Sequence, residues 1–250
     1  MNLERLPTSS DTKVKGLIYG NPGVGKTMFC AVAPKPIIAN CEGGLLCLDK
    51  ISAYHDDLDL LKVDIHTIKD LQELYNYLSK EEHDRETVVI DSLAEVMRIG
   101  MDEIISSPNR DARYGDAPTL QDYGLNTNRM RKIVRLFRDL PMHVFFTCHA
   151  SDQKDEQTGR IMTKPSLTPR ISEEVMGYVD LVGYLFVADV EGNKTERRLL
   201  TQPKGKFEAK DRSGKLGVGM TNPMAYDVIG AITGCKIPEY VKNIKELVTK

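Results

Sequence analysis

Residues 20–27 read Gly20-Asn21-Pro22-Gly23-Val24-Gly25-Lys26-Thr27, a complete match to the pattern G-x-x-x-x-G-K-S/T. Glycines accept backbone conformations closed to other residues, so this stretch can wrap tightly and turn its amides inward. Such a turn needs a strand to deliver it and a helix to leave by. Residues 14–20 (VKGLIYG) read as a short buried strand, and residues 26–33 as a helix stopped by Pro34 and Pro36. A strand, a glycine-rich turn and a helix in that order point to an α/β fold built on a parallel sheet.

The rest of the chain continues the alternation. Residues 36–40 (PIIAN) are a second strand, followed by Cys41-Glu42-Gly43-Gly44, and residues 61–65 a third. Residues 67–82 carry Ile68, Leu71, Leu74, Tyr75 and Leu78 at helical spacing. Residues 86–91 (ETVVID) form an apolar run ending in a carboxylate, and residues 93–105 a helix. Residues 109–124 read largely as loop, 126–140 as a helix closed by Pro141, and 143–149 (HVFFTCH) as a buried strand. Residues 150–169 are charged and without a clear period, hence another long loop. Residues 179–187 and 197–201 read as strands, residues 202–219 are rich in lysine and glycine, and residues 240–250 form a short helix. The expected fold is a mostly parallel twisted sheet with helices on both faces and antiparallel edge strands.

Composition narrows the classes of function. Among 250 residues 41% are hydrophobic, enough for a packed core. The net charge of −2 excludes a global positive field, so nucleic-acid contacts must come from local patches. None of the five cysteines, Cys30, Cys41, Cys47, Cys148 and Cys235, forms a C-x-x-C pair; they read as reduced, which points to the cytosol. The first residues lack the apolar segment of a signal peptide, and no stretch is apolar enough to span a membrane.

The phosphate loop prescribes chemistry. Its amides and the start of the following helix suit an anion, Lys26 would reach the β- and γ-phosphates, and Thr27 would give its hydroxyl to magnesium. Met28 completes the nucleotide-contacting set. The cofactors expected are therefore ATP and Mg2+. Asp91, at the end of a strand, is the candidate second magnesium ligand; capping of the next helix by Asp91 or Ser92 is the alternative. Hydrolysis also needs a group that activates water. Ser92 follows Asp91, so there is no Asp-Glu pair, and the candidates are Glu42, followed by two glycines, and Glu95, one turn into the next helix.

This order of motifs resembles the RecA-like recombinase ATPases, and more closely the shorter phage-encoded members linked to single-strand annealing. The resemblance covers residues 13–212: phosphate loop, strand then Glu42, strand then Asp91-Ser92, strand then His149, and a Lys-x-Lys at Lys204 and Lys206. It implies a lead segment (1–13), a RecA-like ATPase core (14–219) and a short C-terminal tail with a helix (220–250). It implies that Glu42 activates the attacking water and that His149 stands where the family has a glutamine sensing the γ-phosphate. Segments 107–124 and 150–171 match the two loops that face DNA. Their candidate DNA contacts are Arg110, Arg113 and Tyr114, then Lys154, Arg160, Lys164 and Arg170. Asp111, Asp116, Asp152, Asp155 and Glu156 dilute that charge, so ordinary solvated loops are the alternative. Lys204 and Lys206 match lysines that enter a neighbouring subunit's nucleotide site, with Lys210 and Arg212 as alternates. The implied partners are single-stranded DNA, further copies of the chain and a single-stranded-DNA-binding protein, in a host bacterial cytoplasm. The implied function is DNA-stimulated ATP hydrolysis serving annealing or strand exchange. A nucleotide-gated assembly factor such as a helicase loader, or a small-molecule kinase, is the alternative.

Overall fold

A computed structural model describes residues 11–108, 110, 115, 117–154, 159–190 and 194–249. Six strands form its parallel centre, in the order β7 (Leu181–Val190), β1 (Lys15–Gly20), β5 (His143–Lys154), β4 (Thr87–Asp91), β2 (Pro36–Asn40) and β3 (Leu61–Asp64). Antiparallel strands complete the edges. Strand β8 (Lys194–Leu200) pairs with β7, β10 (Gly219–Thr221) with β8, β9 (Lys210–Asp211) with β7, and β6 (Ile161–Pro165) with β5.

The central strands are apolar throughout because both of their faces are covered. Period-two alternation sorts their side chains between two cores. Leu17, Ile90 and Phe146 meet α3 (Ile68–Lys80), α4 (Leu93–Ile105), α5 (Leu120–Arg138) and α6 (Pro169–Tyr178) through Leu71, Val96, Val134 and Val175. Ile18, Val89 and Phe145 face the other side. There α1 (Lys26–Ala31), a 3-10 segment (Leu46–Tyr54), α2 (His55–Leu58), α7 (Ala225–Thr233) and α8 (Glu239–Thr249) contribute Phe29, Ile51, Leu58, Val228 and Ile244. Among the described residues no helix is long and apolar enough to cross a membrane, and all five cysteines are free.

Three segments depart from the sequence reading. Helix α5 begins at Leu120, inside the stretch expected to be loop. Thr119 and Asp122 form a reciprocal capping box there, which outweighs the cost of Gly124 in the helix interior. The expected loop 150–169 is instead a hairpin. Strand β5 runs on to Lys154 and β6 returns beside it, with Ala150 opposite Pro165 and Lys154 opposite Ile161. Most of its side chains are not buried, so no hydrophobic alternation marked it. Helix α6 then starts with Pro169 in its first turn, where a missing N–H costs nothing. Finally, α7 precedes the expected C-terminal helix, and both bury side chains in the second core.

Candidate functional site

In a parallel sheet all strand carboxyl ends share one edge, and Gly20, Asn40, Asp91 and His149 meet there. Gly20 lies opposite His149, and Asn40 opposite Asp91. Because β5 is inserted between β1 and β4, residues 147–149 stand between the end of β1 at Gly20 and the end of β4 at Asp91.

The loop needs its glycines. Gly23 and Gly25 have φ of 79° and 93°, left-handed values that side chains resist. A Cβ on Gly20 would collide with the Leu185 carbonyl oxygen. Helix α1 starts from Gly25 with no side-chain cap, leaving its leading amides for another acceptor. Lys26, 7% exposed, donates from Nζ to the Gly20 and Asn21 carbonyls, both at 3.1 Å. Burial lowers its pKa, against the opposing fields of Glu42 and Asp91.

Asp91 is 4% exposed, and its two oxygens are shared between two hydroxyls. Thr27 Oγ1 donates to Oδ2 at 2.6 Å, and Thr147 Oγ1 donates to Oδ1. Burial raises the Asp91 pKa; the two hydroxyls pull it down and Glu42 pushes it further up. A buried carboxylate without a cationic hydrogen-bond partner among the described residues, 2.6 Å from a threonine hydroxyl beside the loop, fits a hard cation. Among the described residues no three His, Cys, Asp or Glu side chains are grouped so as to hold a metal ion, which leaves Thr27 and Asp91 as the oxygen pair beside the loop. That sparse oxygen pair suits magnesium, which keeps several waters and completes its shell with phosphate.

Glu42 stands beyond β2, held through one oxygen. Its Oε1 accepts from Ser92 Oγ and lies 3.2 Å from His149 Nε2, while Oε2 has no hydrogen-bond partner among the described residues. Ser92 occupies the N-cap position of α4 but makes no side-chain cap bond; its hydroxyl serves Glu42 instead. Glu42, His149, Ala94, Glu95 and Arg98 line an open pocket of ≈ 390 Å³. Glu95 is paired with Arg98.

The other singled-out residues are dispersed. Lys206 pairs at 2.9 Å with Asp152 of its own chain, and both line a pocket with Asn21 of the loop. Lys204 sits exposed in the turn closed by its N–H to the Phe207 carbonyl at 3.2 Å. Lys210 donates to the Met176 carbonyl, and Arg212 pairs with Asp180. The guanidinium of Arg110 is committed to the Gly115 and Ala117 carbonyls and to Asp122. Lys164 pairs with Glu173, Arg170 with Glu174, and Lys154 and Arg160 are exposed on the hairpin. Arg113, Tyr114, Asp111, Asp116, Asp155 and Glu156 lie outside the described residues.

Sequence reasoning missed two contributors. Thr147 had a signal, since a hydroxyl inside the apolar run HVFFTCH needs a buried partner. Arg197 had none: it reaches Val24 across 173 positions, donating Nε–H to its carbonyl at 2.8 Å.

A family model described as an AAA domain matches residues 12–213. No curated protein matches the chain. Among solved structures it is similar to one described as an ATPase domain, with 16% identity, 86% of this chain and 81% of that chain covered, and a TM-score of 0.49. It is also similar to the flagellar accessory protein FlaH from Methanocaldococcus jannaschii, with 10% identity, 78% of each chain covered and a TM-score of 0.42. With its complete phosphate loop and an AAA-domain match that spans most of its length, the chain belongs to the AAA-domain family of P-loop ATPases.

Proposed function

We propose that the chain hydrolyses ATP at this strand edge and, in the manner of RecA-like proteins, couples turnover to single-stranded DNA. The observation that carries the reading is the convergence of Lys26, the Thr27–Asp91 pair and the anchored Glu42 at one edge of the sheet. The loop amides and Lys26 bind the β- and γ-phosphates, replacing the carbonyl contacts of Nζ. Thr27 and Asp91 hold magnesium, which when bound neutralises charge developing on the phosphates. Glu42 takes a proton from water through Oε2, while the Ser92 hydroxyl donates to Oε1 and His149 Nε2 lies 3.2 Å from it. His149, opposite Gly20, is placed to respond to the γ-phosphate.

For DNA the support is local. The hairpin β5–β6 presents Lys154, Arg160 and Lys164, and Arg170 follows at the start of α6. Arg110 supports the DNA reading less, being spent on its own loop. That commitment also counts against Arg110 as part of the arginine lid a small-molecule kinase would need. Lys204 and Lys206 enter a neighbouring copy's site, so the active form is an oligomer. We assign the chain to recombination by annealing or strand exchange. The test is ATP hydrolysis with and without single-stranded DNA at low salt. Stimulation and a gel shift are expected; neither appearing would reject the DNA coupling and leave the ATPase reading to stand or fall on turnover alone.

A further inference from the structure

Arg197, on β8 between β7 and β10, is held from both sides. Its N–H donates to Asn222 Oδ1 at 2.9 Å and its carbonyl accepts from Asn222 N–H at 2.7 Å, while β7 supplies Val187 opposite it. From this fixed base the half-buried side chain crosses to the phosphate loop. Nε–H donates to the Val24 carbonyl at 2.8 Å, and the guanidinium lies against Gly25, where an added Cβ would be 2.8–2.9 Å from Nε, Cζ and Nη2. The remaining guanidinium N–H groups make no hydrogen bond among the described residues.

A trans peptide is planar, with its C=O and N–H pointing to opposite sides. Holding the Val24 carbonyl against β8 therefore turns the Gly25 N–H away from β8. Glycine at φ 93° would otherwise leave that peptide free to reorient. A cationic donor on the carbonyl also polarises the peptide and makes its N–H a stronger donor.

We infer that Arg197 is a positioning residue of the phosphate loop, supplied by the same chain, which orients the Val24–Gly25 peptide so that its N–H meets the bound polyphosphate. The inference rests on the nucleotide reading of the loop. It differs from a base contact, because it acts on any ligand carrying the phosphate chain.

The experiment uses the full chain and two probes, ATP and inorganic tripolyphosphate, competed against a fluorescent nucleotide. Arg197→Met keeps the stem without the donors, and Arg197→Lys keeps the charge. Arg197→Met is expected to weaken both probes by the same factor, about 10-fold or more for a lost charge-assisted hydrogen bond. Arg197→Lys should recover part of the loss. KM for ATP should rise with kcat little changed, as for loss of binding common to ground and transition states. Melting of the ligand-free variants reports the fold, and Arg197→Lys decides the matter if Arg197→Met unfolds. Weakened ATP with unchanged tripolyphosphate would mean a nucleobase contact and overturn the inference. So would unchanged binding of both probes by a folded Arg197→Met, or by Arg197→Lys where Arg197→Met unfolds. If the parent chain binds neither probe, the nucleotide reading fails first.

Discussion

Replacing Glu42 by glutamine isolates the step assigned to it. The structure gives Glu42 one anchored oxygen and one free one: Oε1 accepts from Ser92 and sits 3.2 Å from His149, while Oε2 has no partner among the described residues. Glutamine keeps the volume and one carbonyl oxygen for the Ser92 hydroxyl, so the side chain stays in place. What it loses is the capacity to take a proton. General bases contribute about 10²–10⁴ in rate, which at about 1.36 kcal/mol per decade is roughly 2.7–5.4 kcal/mol of barrier. Single-turnover ATP hydrolysis should slow by that factor while fluorescent-nucleotide affinity stays within a few-fold. Ser92→Ala removes one anchor of a carboxylate that is 31% exposed, so the low end of the range for hydrogen bonds to charged groups applies, about 1.5 kcal/mol, or roughly ten-fold in rate. In the Glu42→Gln background Ser92→Ala should be nearly silent, because the base it orients is gone. Unchanged turnover in Glu42→Gln, or an equal Ser92→Ala loss in both backgrounds, refutes the assignment.

Three further outcomes test other parts of the molecule. Burial raises the Asp91 pKa, so its contribution to stability is present below the unfolded value and is lost as pH rises through the folded one. Asp91→Asn should therefore melt near the parent at neutral pH without magnesium, losing about 1 kcal/mol for one hydroxyl partner, but should lose the part of the stabilisation by ATP that depends on magnesium; a magnesium shift equal to the parent's would reject the metal role. His143 behaves oppositely: burial, aided by Lys13 and Lys15, lowers its pKa from 6.5 to about 3 while Nδ1 accepts from Val14 N–H at 3.0 Å. Its stabilisation is complete above pH 6.5 and is lost as pH falls toward 3, at up to about 1.36 kcal/mol per unit, so urea midpoints should drop over that window and drop less in His143→Gln. A Lys204→Ala/Lys206→Ala double variant mixed with Lys26→Ala should recover partial ATPase activity if the lysines act between subunits. The Lys206–Asp152 pair, with side chains 47% and 51% exposed, is a weak, salt-screened contact that can open for this. No recovery on mixing would place the two lysines in their own chain's site.

The central strands and the phosphate loop were legible because local rules and tertiary demands agree there. Residues 36–40 and 93–105 form the strand and the helix that their apolar runs and proline and glycine boundaries imply. The misreadings share a cause. At α5 a polar first turn and Gly124 hid a helix whose signal was a capping box, not a hydrophobic stripe. In the β5–β6 hairpin the pairing is made by backbone, which side-chain patterning does not record outside a core. The site divides the same way. Lys26, Thr27 and Asp91 could be proposed from sequence because their motifs are local to single strand ends, and the structure brings Thr27 and Asp91 to 2.6 Å. Ser92, adjacent to Asp91, was visible as a residue but not as the donor to Glu42, a contact across 50 positions.

Strand β5 explains why these distant pieces can work as one site. Alternation puts Phe145, Thr147 and His149 on one face, and Phe145 packs there against Phe29 of α1, 6.2 Å between ring centroids. Thr147 on that face donates to Asp91, and His149, two residues on, approaches Glu42. The proposed metal acid and the proposed base are therefore read by successive inward positions of a single strand. The same strand continues without a break through Asp152, which holds Lys206, to Lys154 at the hairpin. A strand this extensively paired, to β1 over residues 144–149 and to β4 over 143–146, shifts as a unit and not residue by residue. Any change in the hydrogen bonds of Asp91 or Glu42 on binding or hydrolysis must then either break the contacts of Thr147 and His149 or move the base of the hairpin with them. Thr147→Val separates these two cases: it cuts the link at Asp91 and leaves the strand's packing in place. Hydrolysis that persists while its response to single-stranded DNA disappears would locate the coupling in β5; loss of both together would make Thr147 part of the metal site alone.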